Sequence, residues 1–294
     1  VNIRELLKAK KQPLIMGVIN TTPDSFFSFS RKISIKKAVS AALKMASDGA
    51  DIIDIGGEST RPGADYIDER EELKRVIPVV KEIALNVKIP ISVDTRKSKV
   101  AYEAIKAGAV IINDISSMED DPAMVDVIKD AGCDIIIMHK LGIPSNMQKN
   151  IFYTDVVSDI YNKLEILTEN AVSKGIDEGK ITIDPGLGFG KSVDDNLAII
   201  NNIAYFKKLG FPVLVGHSRK SFIGTITGKD VEERLAGSLA AGVISLINGA
   251  DILRVHDVSE TSDTVKIAEA FMRNGLGSVP VQTSIKGNGR VASS

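Results

Sequence analysis

Apolar residues in this chain gather into short, β-branched runs separated by longer stretches with helical spacing. The runs are LIMGVI (14–19), ADIIDIG (50–56), IPISVD (89–94), AVIIND (109–114), CDIIIMH (133–139), KITID (180–184), PVLVG (212–216) and ADILRVH (250–256). Their apolar character is nearly continuous rather than alternating, the pattern of strands buried on both faces of a parallel sheet. Between them SIKKAVSAALKMASDG, KSKVAYEAIKAG, VEERLAGSLAAGVISLINGA and DTVKIAEAFMRNG carry helical spacing, and several close on glycine, as helix C-termini often do. Eight strand-helix repeats filling nearly the whole chain predict an α/β fold: a (β/α)8 TIM barrel, one domain over residues 1–277. An open doubly wound sheet uses the same alternation. No sequence-level duplication accompanies the repeat. Residues 278–294, SVPVQTSIKGNGRVASS, are small and polar without periodicity and are expected to form a flexible tail.

The chain's 294 residues exceed the usual size of one domain, but a barrel of this kind takes about 250 residues, so no split is forced. Hydrophobic residues at 44% and charged residues at 26% exclude a disordered or fibrous chain. Basic and acidic side chains number 37 and 38, a net charge of −1. No global field is therefore available to hold nucleic acid or an anionic membrane, and an anionic ligand has to be met locally. Cys133 is the only cysteine, which excludes an internal disulfide and a cysteine-cluster metal site and points to a small core residue. No apolar run approaches the roughly 20 residues that span a bilayer, and VNIRELLKAKKQP lacks the apolar block of a signal peptide. The expected compartment is the cytoplasm.

In a parallel barrel the chemistry sits at the C-terminal ends of the strands. Those ends carry Asn20 with TTPDSF, Asp54 with GGESTRPG, Asp94 with Thr95 and Arg96, and Asn113 with Asp114. They continue with His139, Asp184 with PGLGFGK, HSRKSF, and Arg254 with His256. Burying so many polar groups costs free energy unless each is partnered, so their convergence points to a polar ligand. A carboxylate at a strand end also caps the following helix, and that role is assigned to Asp54, Thr95 and Asp114. PGLGFGKS looks like a phosphate-binding loop, but Pro185 stands where that pattern requires its first glycine. No nucleophile elbow and no HExxH helix is present.

MGVINTTPDSF, DIIDIGGESTRPGA, SVDT, INDIS, the MH near residue 138, DPGLGFGK, SRKSFIG and RVHDV, in this order and spacing, resemble the dihydropteroate synthase family from about residue 14 to 273. The resemblance implies an enzyme that condenses 6-hydroxymethyl-7,8-dihydropterin pyrophosphate with p-aminobenzoate and releases pyrophosphate. It implies that Asp184 and Asn113 grip the pyrimidine edge, Asp94 contacts ring nitrogens on the other side, and Lys220 reaches the carbonyl oxygen. A carboxylate accepts two hydrogen bonds from such an edge and an amide both donates and accepts, so these residue types suit a pterin. Arg254 and His256 lie two apart and project to one face, and the resemblance gives them the pyrophosphate. It implies too that Asn20 helps to coordinate Mg2+ there. For p-aminobenzoate it implies the N-terminus of the helix opened by Ser221, apolar walls from Phe189 and Pro23, and Thr60 and Arg61 from the second loop. The implied catalytic set is Lys220, Asp94, Asp184, Arg254 and His256, in a homodimer and a target of sulfonamides.

The chain departs from the family after TPDSF, where FSFSRKIS from Phe27 to Ser34 replaces a Ser-Asp-Gly-Gly type stretch. Leu141 and Ile143 stand where Met and Thr are common. The reaction expected is dissociative, with no protein nucleophile and no strong general base, because a neutral arylamine is nucleophilic enough. The alternatives are a pterin-binding methyltransferase domain, which shares the Asp/Asn grip but lacks TPDSF and SRKS, and a catalytically idle pterin-binding protein.

Overall fold

A computed structural model describes residues 2–21, 31–59, 61, 63–143, 147 and 151–273. The expected tail 278–294, Pro23 and Thr60 lie outside these residues, as does most of the divergent first loop.

The strands form where the apolar runs predict them: β1 Leu14–Asn20, β2 Ile52–Gly56, β3 Ile91–Asp94, β4 Ile111–Asp114, β5 Asp134–Met138, β6 Ile181–Asp184, β7 Leu214–Val215 and β8 Ile252–Val255. All pair in parallel in the order β6-β5-β4-β3-β2-β1-β8-β7. The ends meet at a bridge between Ile183 and Val213, with the Ile183 N–H donating to the Pro212 carbonyl at 2.9 Å. The closed barrel, not the open sheet, is therefore the fold, and closure removes the exposed edges an open sheet would carry. β7 is the shortest strand, two residues against the five of PVLVG. Pro212, which has no N–H, lies before it, and Gly216 follows.

Strand side chains alternate, and the two faces divide the core. Ile53 and Ile55 of β2 pack outward with the helix layer, together with Ile15, Val93, Ile112, Ile183 and Leu253. Ile52, Leu14, Met16, Ile111, Ile136, Leu214 and Ile252 turn inward and fill the lower barrel. An amphipathic helix that the strand-helix pattern does not announce, α1 (Ile3–Lys10), closes that lower end. Ile3 is 1% exposed and Leu6 and Leu7 pack beside it. Asn2 caps α1 in a capping box with Glu5, and the Ile3 N–H donates to Asp134 Oδ2 at 2.6 Å. Asp134 also meets Lys180 at 3.5 Å, so the carboxylate buried at the start of β5 is partnered.

The barrel helices are α2 (Arg31–Ser47), α3 (Glu69–Asn86), α4 (Ser98–Ala107), α5 (Met124–Ala131), α6 (Val156–Ser173), α7 (Val193–Asn201), α8 (Ile203–Phe206), α9 (Ser221–Thr227), α10 (Leu235–Ile247) and α11 (Val258–Arg273). Cys133 is buried as expected, and burial followed by the Asp134 charge pushes its thiol up to about 12. Among the described residues no helix is long and apolar enough to cross a membrane.

Because the plug lies at the end of the barrel opposite the polar strand ends, stability and chemistry should separate. Ile3→Ala should lower the free energy of urea unfolding by about 2 to 5 kcal/mol, the range for truncating a buried aliphatic side chain. Steady-state turnover measured at the same temperature should be unchanged.

Candidate active site

The inward-facing positions switch from aliphatic to polar on moving up the barrel. On β2 the inward series is Ile52, Asp54, Gly56, and register sets Asn20 beside Gly56, Gly56 beside Asp94, and Asp94 beside Asn113. A Cβ added to Gly56 would lie 3.9 Å from Asn20 Oδ1 and 3.6 Å from Asp94 Cβ. One at Gly216 would lie 3.9 Å from both Asp184 Oδ2 and Arg254 Cβ. The two glycines leave the mouth open between the polar groups. Asn20, Asp94, Asn113, Asp184, Lys220 and Arg254 thus come together around one opening, as the strand-end residues predict.

Arg254 organises the floor. Its Nε donates to Asp54 Oδ2 at 2.7 Å and its Nη2 to Asp94 Oδ2 at 2.8 Å. Asn113 Nδ2 reaches the same Asp54 oxygen at 3.4 Å. Asp54 is fully buried, and its Oδ1 has no hydrogen-bond partner among the described residues. The helix-cap role expected for Asp54 is therefore wrong: strand alternation turns it inward, under the guanidinium. Asp114 and Thr95 do not cap helices either, since the N-caps of α4 and α5 are Lys97 and Ala123; they tie the local turns. Asp114 accepts from the Ser116 and Met118 N–H groups at 2.7 Å, and Thr95 Oγ1 accepts from the Lys97 N–H at 3.2 Å.

One guanidinium faces two carboxylates, and the electrostatics follow. Burial raises Asp94 from 3.8 to about 7, against the pull of Arg254 and with help from the Asp54 charge. Asp184 is also raised by burial, while Lys220 and the Gly186 N–H, which donates to its Oδ1 at 2.7 Å, act to lower it. Burial lowers Lys220 to about 8 despite nearby Asp184.

Lys220 ends the turn after β7 and precedes α9. Its Nζ donates to the Leu187 carbonyl and sits 4.6 Å above the Phe189 ring. Phe189 packs on Ile115, Met138 and Met147, so it is both a packed side chain and the apolar face beneath the ammonium. Ser221 is exposed at the first turn of α9.

At the rim, His256 lies just past β8. Its backbone N–H donates to Ser218 Oγ at 3.2 Å, and its Nδ1 lies 3.1 Å from the same oxygen. Desolvation comes first in lowering its pKa, and the cations Arg254, Arg219 and Arg61 act in the same direction. Together these lower His256 to about 4 and favour its neutral ring in the free protein. Arg61 is exposed and close enough for its charge to act on His256. Arg254 Nη1 has no partner among the described residues. Neighbouring Arg219 is not available for an anion: it is held by Asp257 at 2.7 Å and Glu232 at 2.8 Å.

Sequence reasoning missed Asp54 and Ser218. Asp54 was detectable, because it shares strand parity with Ile52 and Gly56; Ser218 opens the SRKS string but carries no further signal. Among the described residues no three His, Cys, Asp or Glu side chains are placed to hold a metal. Asn20 Oδ1 offers a single oxygen at the mouth. Such a donor suits a cation that takes its other ligands from phosphate and water, as Mg2+ does.

A site that buries two acids against one arginine should be tuned for a ligand rather than for stability. The raised pKa means the folded protein holds a proton on Asp94 that the unfolded chain has lost. Stability from this group is therefore present below 3.8 and is lost as pH rises through about 7. Asp94→Asn should unfold at a temperature no lower than the unsubstituted protein at pH 8, and the difference should shrink toward pH 5. A large drop at pH 8, by scanning calorimetry, would contradict this electrostatic picture.

The sequence profile of the family described as pterin binding enzyme matches residues 16–256. The dihydropteroate synthase of Bacillus subtilis is 44% identical over 269 residues, 92% of each chain. The Yersinia pestis dihydropteroate synthase, solved as a complex with a sulfonamide drug, superposes with a TM-score of 0.85 at 40% identity, covering 90% of this chain and 95% of that one. The Xanthomonas albilineans dihydropteroate synthase with 4-aminobenzoic acid gives a TM-score of 0.83 at 40% identity, covering 92% and 94%. With its barrel, its ring of strand-end polar groups and these relatives, the chain belongs to the pterin binding enzymes, within the dihydropteroate synthases.

Proposed function

We infer that the protein joins 6-hydroxymethyl-7,8-dihydropterin pyrophosphate to p-aminobenzoate, giving 7,8-dihydropteroate and pyrophosphate. The observation that carries the assignment is the meeting of Asp94, Asn113, Asp184, Lys220 and Arg254 in one mouth left open by Gly56 and Gly216. A flat heterocycle lies there with its amino and ring N–H groups on Asp184 and Asp94 and its carbonyl on the Lys220 ammonium. Pterin N–H donors favour the charged carboxylates, so substrate relieves the excess negative charge that burial makes costly.

The pyrophosphate takes the Nη1 side of Arg254 and the exposed ring of His256. Arrival of the anion raises the imidazole pKa, which makes His256 a charged partner when it is needed. Asn20 would hold Mg2+, which would supply charge neutralisation for the leaving pyrophosphate. The bond from the exocyclic methylene carbon to the pyrophosphate oxygen breaks and the arylamine nitrogen bonds to that carbon. The surplus amine proton passes to solvent. Arg254 stabilises charge on the leaving group, while the carboxylates Asp94 and Asp184 tolerate positive character on the pterin. No side chain acts as nucleophile. The p-aminobenzoate carboxylate sits at Ser221, with Phe189, Pro23, Thr60 and Arg61 around the ring. The relative solved with 4-aminobenzoic acid, which shares this fold, supports that choice of second substrate.

The protein works in the cytoplasm as a homodimer. Exposed apolar side chains Ile244 and Ile247 on α10 and Ile267 and Phe271 on α11, two helices packed together, support a subunit contact there.

Purified protein given both substrates and Mg2+ should form dihydropteroate and release pyrophosphate in equal amounts. Lys220→Ala and Asp184→Asn should each lose about 2 to 4 kcal/mol of transition-state stabilisation in kcat/KM, the scale for removing a charge-assisted contact in a closed site. Full activity in both variants would place the pocket elsewhere. A sulfonamide should raise the KM for p-aminobenzoate without changing kcat; a purely kcat effect would contradict the Ser221 and Phe189 pocket.

A further inference from the structure

We propose that Lys191 is a positioning residue for the p-aminobenzoate half of the site, holding the glycine-rich loop 185–191 through an ammonium cage. The proposal rests on the function inferred above. In the sequence Lys191 is the lysine of the failed phosphate-loop pattern; in the structure it is 3% exposed, and the charges of Asp184 and Lys220 act on it.

Its Nζ has three neighbours: the Phe189 carbonyl at 3.0 Å, the His139 carbonyl at 3.4 Å and His139 Nδ1 at 3.0 Å. An ammonium carries three protons and no lone pair, so three acceptors satisfy it completely. Burial lowers Lys191 to about 7 while the Asp184 charge favours its ammonium form, and with that ammonium in place His139 Nδ1 accepts, which puts the imidazole proton on Nε2. Burial and the Lys191 charge keep that imidazole neutral, lowering it to about 2. No carboxylate lies within ion-pair distance of Lys191 among the described residues, so its contacts are with the loop and the end of β5 themselves.

The cage closes a joint that leaves no slack. Gly186 has a φ of +71° and a Cβ there would lie 1.9 Å from the His139 carbonyl oxygen; Gly190 has a φ of +67° and a Cβ would lie 2.5 Å from the Leu141 carbonyl oxygen. The loop therefore rests backbone to backbone on the segment after β5, pinned also by Tyr153 Oη donating to the Gly190 carbonyl at 2.9 Å and the Gly188 N–H donating to Asn196 Oδ1 at 2.7 Å. Between these pins the loop presents the Leu187 carbonyl and the Phe189 ring to Lys220. Asp184, at the root of the loop, is held by its strand and reaches the loop through the Gly186 N–H, whereas the Phe189 carbonyl is itself a ligand of the cage. Loss of the cage therefore shifts Phe189 more than it shifts the pterin contacts.

The test compares Lys191→Met with the unsubstituted protein, with Lys191→Gln as a second variant that keeps amide donors. The expected result is a KM for p-aminobenzoate raised about tenfold or more, as small misplacements of a positioning group produce. Pterin pyrophosphate binding, measured alone by calorimetry, should stay within about threefold, and Lys191→Gln should fall between. An unchanged KM, or equal loss of both ligands, overturns the proposal. If neither variant folds, nitrogen-15 NMR of the three histidines in the unsubstituted protein decides. A His139 ring protonated on Nε2 alone, whose Nδ1 shift moves when saturating p-aminobenzoate is added, supports the cage and its link to that half. A proton on Nδ1, or no response, overturns it. Absence of dihydropteroate from the unsubstituted protein counts against the functional assignment alone, since p-aminobenzoate binding and the tautomer remain measurable.

Discussion

Arg254 set between Asp54 and Asp94 is the interaction on which the rest of the site depends. A guanidinium buried among apolar strands demands anions, and two carboxylates give it more than it needs. The surplus negative charge appears on Asp94, held near neutrality in its titration by burial. Asp54 lies too deep to meet a ligand directly and keeps the arginine in place from below. Asp94 faces the opening, where a ligand rich in N–H groups can complete the balance. Buried, incompletely balanced charge of this kind is costly in the free protein and favourable in a complex.

The barrel makes such an arrangement affordable. Aliphatic layers and the α1 plug supply the packing in the lower half, so the upper half is free to carry polar groups. Gly56 and Gly216 occupy inward positions where any side chain would fill the space between Asn20, Asp94, Asp184 and Arg254. Lys220 is carried on the following loop, over a phenylalanine anchored by Met138 and Met147, which combines a cation with an apolar face. That pairing suits a second substrate that is both aromatic and anionic.

Much of this was legible in the residues. Eight buried runs lay where the strands formed, because a strand covered on both faces has to be apolar throughout. Barrel closure was expected from the eight repeats, with an open sheet as the alternative, and the bridge between Ile183 and Val213 decides for the barrel. The plug helix was missed because its capping box lies outside the strand-helix repeat. At the site, strand-end position together with the family resemblance singled out Asp94, Asn113, Asp184, Lys220 and Arg254, which the structure brings around one opening. The same rule misassigned Asp54, where alternation along β2 was the better guide. The neutrality of His256 and the cage around Lys191 arise from neighbours far apart in the chain, such as Arg61 and His139, and no local pattern encodes them.

If a pterin and its diphosphate share the mouth around Arg254, a crystal structure with the pterin pyrophosphate will show both there. The heterocycle should lie between Asp94, Asn113 and Asp184, with its carbonyl at Lys220 and the diphosphate against Arg254 and His256. A ligand bound away from Arg254, or a heterocycle that leaves Asp94 and Asp184 untouched, would contradict it.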